Sequence, residues 1–79
     1  MGNLKLLKDL KSGQKGIITK VSGVGSIFRR LLDMGISKGA EITVVRVAPL
    51  GDPVEIKVRG YNLSLRKSEA ANIYVDLME

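Results

Sequence analysis

The stretch Arg46–Val58, RVAPLGDPVEIKV, joins two β-forming runs through six residues that hold both prolines of the chain. If the chain reverses there, the runs form an antiparallel pair. If the loop is a site, Asp52 is offered to a metal or a phosphate. Every residue of APLGDP (Ala48–Pro53) suits a reversal. Pro49 holds φ at about −65°, Gly51 is free to take positive φ, and Asp52 is able to hydrogen-bond nearby backbone. Pro53 opens a strand, where its missing N–H is tolerated. The reading is a β-turn connection, with Leu50 as an apolar side chain at its tip.

Working outward, Val54, Ile56 and Val58 alternate with Glu55, Lys57 and Arg59, the period of a half-buried strand. Glu41–Ala48 is β-rich before the loop, and Tyr61–Arg66 repeats the alternation after a bend at Gly60, with Tyr61, Leu63 and Leu65 inward. Gly16–Gly23 is a further strand, with one face uncertain because Ile17 and Ile18 are adjacent. Ile73–Leu77 is the last, after one helical turn at Lys67–Asn72. The period changes only at Val24–Gly35, where Val24, Ile27, Phe28, Leu31 and Met34 form a helical stripe facing the core. Ser22 or Ser26 suits the helix start, and Gly35 suits a left-handed stop. Leu4–Leu10 reads as an extended start ending in a turn at Ser12-Gly13. Five strands and one helix inserted after the first predict a mainly β fold in one domain over residues 1–79. The form is a small SH3-like or OB-like barrel, because closure protects edges and lets a short chain enclose one core.

Composition narrows the chemistry. The 79 residues contain neither cysteine nor histidine. That removes disulfides, the usual ligands of zinc, copper and iron, the usual general base at neutral pH, and the Ser-His and Cys-His nucleophile pairs. The carboxylates are Asp9, Asp33, Glu41, Asp52, Glu55, Glu69, Asp76 and Glu79, scattered with no D-x-D-x-D-G loop. Neither a catalytic carboxylate pair nor a metal site is expected, and no cofactor. SGVGS (Ser22–Ser26) lacks the Gly-Lys-Ser/Thr ending of a phosphate loop and reads as a turn. No apolar run approaches the roughly 20 residues that cross a bilayer. Gly2 is discounted as an acyl acceptor because position 6 is Leu6. A soluble cytoplasmic protein is expected.

Of the net charge of +5, residues 1–20 supply +4, with five lysines against Asp9. A basic edge of this kind suits an acidic partner, a membrane surface or nucleic acid. Stacking on bases and binding proline-rich ligands both need aromatic surface, and the chain has only Phe28, Tyr61 and Tyr74. With Phe28 and Tyr61 facing the core, Tyr74 is left as one platform, so stable nucleic-acid binding is not expected and stays the alternative reading. An interaction module remains. Arg29 and Arg30 on the exposed helix face, beside the off-stripe Leu32, form a mixed basic and apolar patch, and Leu50 is a further contact candidate.

Three segments in order, LKSGQKGIITKV, RRLLDMGISKGAEITVV and APLGDPVEIKVRGYNLSLRKSEAANIYV, resemble the FeoA family of ferrous iron transport accessory proteins. The pattern R-x-L-x-x-M-G lies at Arg29–Gly35, A-P-x-G-D-P at Ala48–Pro53, and V-x-G-x-x-L-x-L-R-x-x-E-A at Val58–Ala70. The resemblance runs from about Leu7 to Val75. It implies a cytoplasmic SH3-like barrel, peripheral to the membrane, that docks on a large iron permease carrying its own GTP-binding domain and modulates its assembly, GTPase or transport. It also implies that the same domain occurs fused to the permease and at the C-terminus of metal-dependent repressors. It supplies no catalytic or iron-binding residues, and weak self-association is left open.

Overall fold

A computed structural model describes residues 3–23 and 25–78. Val24, expected first on the helical stripe, and Gly2 lie outside the described residues. Six antiparallel strands are formed: β1 (Leu4–Leu6), β2 (Lys15–Val21), β3 (Glu41–Val47), β4 (Val54–Val58), β5 (Tyr61–Leu65) and β6 (Ile73–Met78). Helix α1 (Gly25–Asp33) follows β2, and the one-turn α2 (Lys67–Ala70) precedes β6. They make one sheet in the order β1-β6-β2-β3-β4-β5. The mainly β reading is correct, with one strand more than expected. Leu4–Leu6 is three residues long, too short for its Leu-Lys-Leu alternation to mark a strand. It becomes a strand by pairing with the far end of the chain, Lys5 opposite Val75 and Leu6 opposite Tyr74. Hydrogen-bonded closure is not part of the sheet order: β1 and β5 stand at its two ends.

The sheet wraps a single apolar core. Ile18 of β2, Ile42 and Val44 of β3, Val54, Ile56 and Val58 of β4, Leu65 of β5, and Ile73 and Val75 of β6 are all buried. Leu7 and Leu10, Leu31 of α1, Ile36 and Ala70 of α2 join them. Each of the larger side chains contributes about 1.5–3 kcal/mol by leaving water. Two bulges keep the alternation in step. The β2–β6 register shifts between Ile18 and Lys20; before it, regular alternation buries Ile18 and leaves the adjacent Ile17 half-buried on the other face. The β3–β4 register shifts between Val44 and Arg46, which leaves the exposed Val45 without a partner and brings Val47 opposite Val54. β2 and β6 approach so closely that a Cβ on Gly16 would meet the Asp76 carbonyl.

The loop Ala48–Pro53 is a turn, as its residues require. The Gly51 N–H donates to the Ala48 carbonyl at 2.7 Å, the Ala48 N–H donates to the Pro53 carbonyl at 3.1 Å, and Gly51 has φ +81°. The Asp52-Pro53 peptide is cis. Asp52 does not bond within the loop. Its Oδ1 accepts the Lys67 N–H at 3.1 Å and so caps the start of α2.

Helix α1 ends as expected and buries less than expected. The Ile36 N–H reaches the Leu31 carbonyl, the Gly35 N–H reaches that of Leu32, and Gly35 sits at φ +87°, a Schellman ending with Ile36 packed over Leu31. Of the residues of α1, only Leu31 is buried. Ile27 and Phe28, expected on the core stripe, are exposed at 42% and 37%. The helix has nine residues and gives the core one line of side chains, while its flanks stay in water. Ser22 does not cap it; its Oγ donates to the Asn72 carbonyl at 3.2 Å.

Tyr61 is likewise not a core residue. It is 44% exposed, and its hydroxyl donates to the Met34 carbonyl at 2.7 Å. The two-residue hairpin between β4 and β5 has positive φ at both Arg59 (+50°) and Gly60 (+87°), the twist a tight hairpin needs. The Arg59 side chain donates to the Gly35 carbonyl at 3.3 Å and to Ser37 Oγ at 3.0 Å. This hairpin tip therefore satisfies carbonyls that the end of α1 leaves open and holds the helix in place.

Candidate functional site

Successive residues of a helix point about 100° apart, so with Leu31 facing the core the other side chains of α1 fall on two flanks and a crest. Phe28 and Leu32, four residues apart, occupy one flank. With Thr19, Lys20 and Val21 of β2 and with Lys38 they line an open groove of about 440 Å³. Lys20 Nζ also lies 5.6 Å from the centre of the Tyr74 ring.

Arg30 occupies the other flank. Its Nε lies 3.4 Å from Glu69 Oε2. The other carboxylate oxygen, Oε1, accepts the Arg66 N–H at 2.9 Å. Glu69 is the buried charged side chain among the described residues. Arg30, Asp52, Pro53, Ser64, Arg66 and Glu69 line a second open cleft of about 570 Å³. Glu69 and Asp52 thus tie α1, α2 and the β3–β4 loop to one another. A buried carboxylate is tolerated because a backbone donor and a guanidinium serve its two oxygens.

The four residues singled out from the sequence are therefore not one patch. Arg29 lies on the exposed crest of α1, and Leu32, 42% exposed, borders the groove with Phe28. Arg30 is turned toward Glu69. Leu50 is 89% exposed on the separate β3–β4 loop. Sequence reasoning missed Phe28, Lys20 and Lys38 as surface neighbours, since only the packing of α1 on β2 brings them together. Glu69 was open to discovery: an acidic residue three positions after a helix cap, as in Arg66-x-x-Glu69, is the spacing of a carboxylate reaching back to the cap N–H.

Among the described residues no group of three or more Asp and Glu side chains is placed to hold a metal ion. No helix among the described residues is long and apolar enough to cross a membrane. The surface of this small antiparallel sheet sets exposed apolar side chains next to cations.

The FeoA domain model matches residues 5–77, and the chain belongs to that family. Over 72 residues, 91% of this chain, it is 44% identical to the Fe(2+) transport protein A/Fe(2+) transporter FeoB fusion protein of Porphyromonas gingivalis. The chain spans only 8% of that relative's length. The structure superposes with a TM-score of 0.90 on the FeoA-like protein of Clostridium acetobutylicum, at 37% identity, covering 100% of this chain and 92% of the other. It superposes with a TM-score of 0.78 on the FeoA of Stenotrophomonas maltophilia, solved with zinc and described as a prokaryotic SH3 domain protein, at 31% identity over 89% of this chain and 87% of the other. The fold is SH3-like, and the family is linked to ferrous iron transport.

Proposed function

We propose that this protein is a non-enzymatic cytoplasmic accessory factor of ferrous iron uptake that docks on a membrane iron permease with a GTP-binding domain and modulates it. The observation that carries the reading is the relative in which a FeoA domain 44% identical to this chain is joined covalently to an iron transporter. Fusion keeps two modules at high effective concentration, an arrangement that serves partners that work together. The exposed surface of α1, with Arg29, Arg30 and Leu32, and the loop-tip Leu50 are the contact residues of this reading. Leu50 packs against little of its own chain, so its side chain is available to a partner.

The nucleic-acid alternative finds less support in the structure. Tyr74 has Lys20 over its ring, Tyr61 is tied to Met34, and Phe28 borders a groove, which leaves no row of open aromatic faces for bases among the described residues.

Binding of the purified protein to the full-length permease in detergent, and to its isolated GTP-binding region, tests the proposal. Arg29→Glu and Leu50→Ser, both at exposed positions, are expected to weaken the complex without unfolding the protein. Binding to neither form, with unchanged ferrous iron uptake in a strain lacking the protein, would reject it.

A further inference from the structure

We infer that the groove between α1 and β2 is a docking site for a protein segment that inserts a large apolar side chain flanked by carboxylates. This rests on the permease reading above and assigns that reading a surface and a recognition chemistry. Phe28, Leu32 and Val21 supply an apolar floor, and Lys20 and Lys38 supply its rim. No acidic side chain lines the groove, and neither lysine has an ion pair among the described residues. The carboxylate of the same helix, Asp33, does not line the groove and so does not compensate this charge. Arg30 is committed to Glu69 on the opposite flank, and Arg29 adds a further cation on the exposed crest.

Apolar area alone would accept many partners, and two cations alone would accept any anion. Together they demand an occupant with apolar character at its centre and negative charge on either side. The groove is open to solvent rather than enclosed, so it does not surround a small molecule on most sides as a ligand cavity does. An extended or helical acidic segment, by contrast, lies along such a groove and still reaches both lysines. A site this small binds weakly. Tethering to the partner, as in the fused relative, compensates for weak affinity.

The test selects a random peptide display library on the immobilised full chain, then titrates the enriched peptides into isotope-labelled protein. Enriched peptides are expected to carry Leu, Ile, Phe or Met next to Asp or Glu. Amide shifts should concentrate at Thr19–Val21, Phe28–Leu32 and Lys38. Lys38→Glu, an exposed residue with no packing role, should weaken binding at least about tenfold, and a peptide with its acids changed to lysine should then bind the variant better than the wild type. Leu32→Ser serves as the apolar counterpart, its fold checked by amide dispersion. Failure to enrich peptides, shifts centred elsewhere, or equal binding by Lys38→Glu overturns the inference. Two rival occupants are measured in parallel: vesicles of phosphatidylcholine with phosphatidylglycerol, and the protein alone over a concentration series. Broadening of the α1 signals by vesicles without peptide binding makes the surface a membrane contact, and concentration-dependent shifts in the groove make it a contact between copies. Either overturns the peptide assignment. Wild-type permease binding that Lys38→Glu leaves intact rejects the groove while keeping the permease reading. Peptide binding without permease binding rejects the permease reading and keeps the groove.

Discussion

Replacing Gly35 by alanine tests the joint between α1 and the β4–β5 hairpin, because the structure predicts how its cost divides. Gly35 has φ +87°, and a Cβ added there would lie 2.8 Å from the Tyr61 hydroxyl. The left-handed backbone costs a non-glycine residue roughly 1–2 kcal/mol. The Tyr61 side chain is long enough to swing aside, and doing so breaks its 2.7 Å hydrogen bond to the Met34 carbonyl. That bond contributes about 0.5–1.5 kcal/mol. Gly35→Ala should therefore destabilise by about 2–3 kcal/mol, and Tyr61→Phe alone by about 1 kcal/mol. In the double variant the hydroxyl is gone, so Gly35→Ala costs only its backbone strain. The double variant should be about as stable as Gly35→Ala alone, a departure from additivity of about 1 kcal/mol. Urea unfolding followed by far-UV circular dichroism suits the measurement, since the chain has no tryptophan and Tyr61→Phe alters tyrosine emission. Equal slopes across the four proteins are required for the comparison. Strict additivity would show that Tyr61 keeps its bond beside an alanine, and the proposed competition for that space would be wrong.

Two further perturbations separate charge from hydrogen bonding and test the sheet. Glu69→Ala removes the acceptor of the Arg66 N–H as well as the partner of Arg30, and should cost about 1–3 kcal/mol. Glu69→Gln keeps an acceptor oxygen and loses only an ion pair whose arginine is largely exposed, so it should cost less than about 1 kcal/mol in the same unfolding assay; equal losses would place the weight on the charge. Gly16→Val would drive a side chain into the Asp76 carbonyl and Val75, separating β2 from β6, and should cost about 3 kcal/mol or more. Thermal unfolding within a few degrees of wild type would mean that the two strands part without penalty.

Local chemistry carried most of the architecture. The alternation in Val54–Val58, the turn residues of Ala48–Pro53 and the glycine after Met34 each act within a few residues, so the chain states them directly. The ordered motifs from Arg29 to Ala70 pointed to the family in the same way, and the match over residues 5–77 agrees. What the pattern could not express was the outcome of distant contacts. Leu4–Leu6 is a strand only because β6 lies beside it. Tyr61 obeys the inward period of β5, yet at the sheet's edge its ring runs past the core to the end of α1. Phe28 belongs to the helical stripe but overhangs β2 because a nine-residue helix offers the core only one line of side chains. Arg30 reads as a free surface cation until α2 brings Glu69 to it. The sequence by itself determined which segments extend, turn or coil, since those are preferences of neighbouring residues. The tertiary structure alone decided which side chains remained at the surface together, because a binding surface is made of residues that only packing makes neighbours.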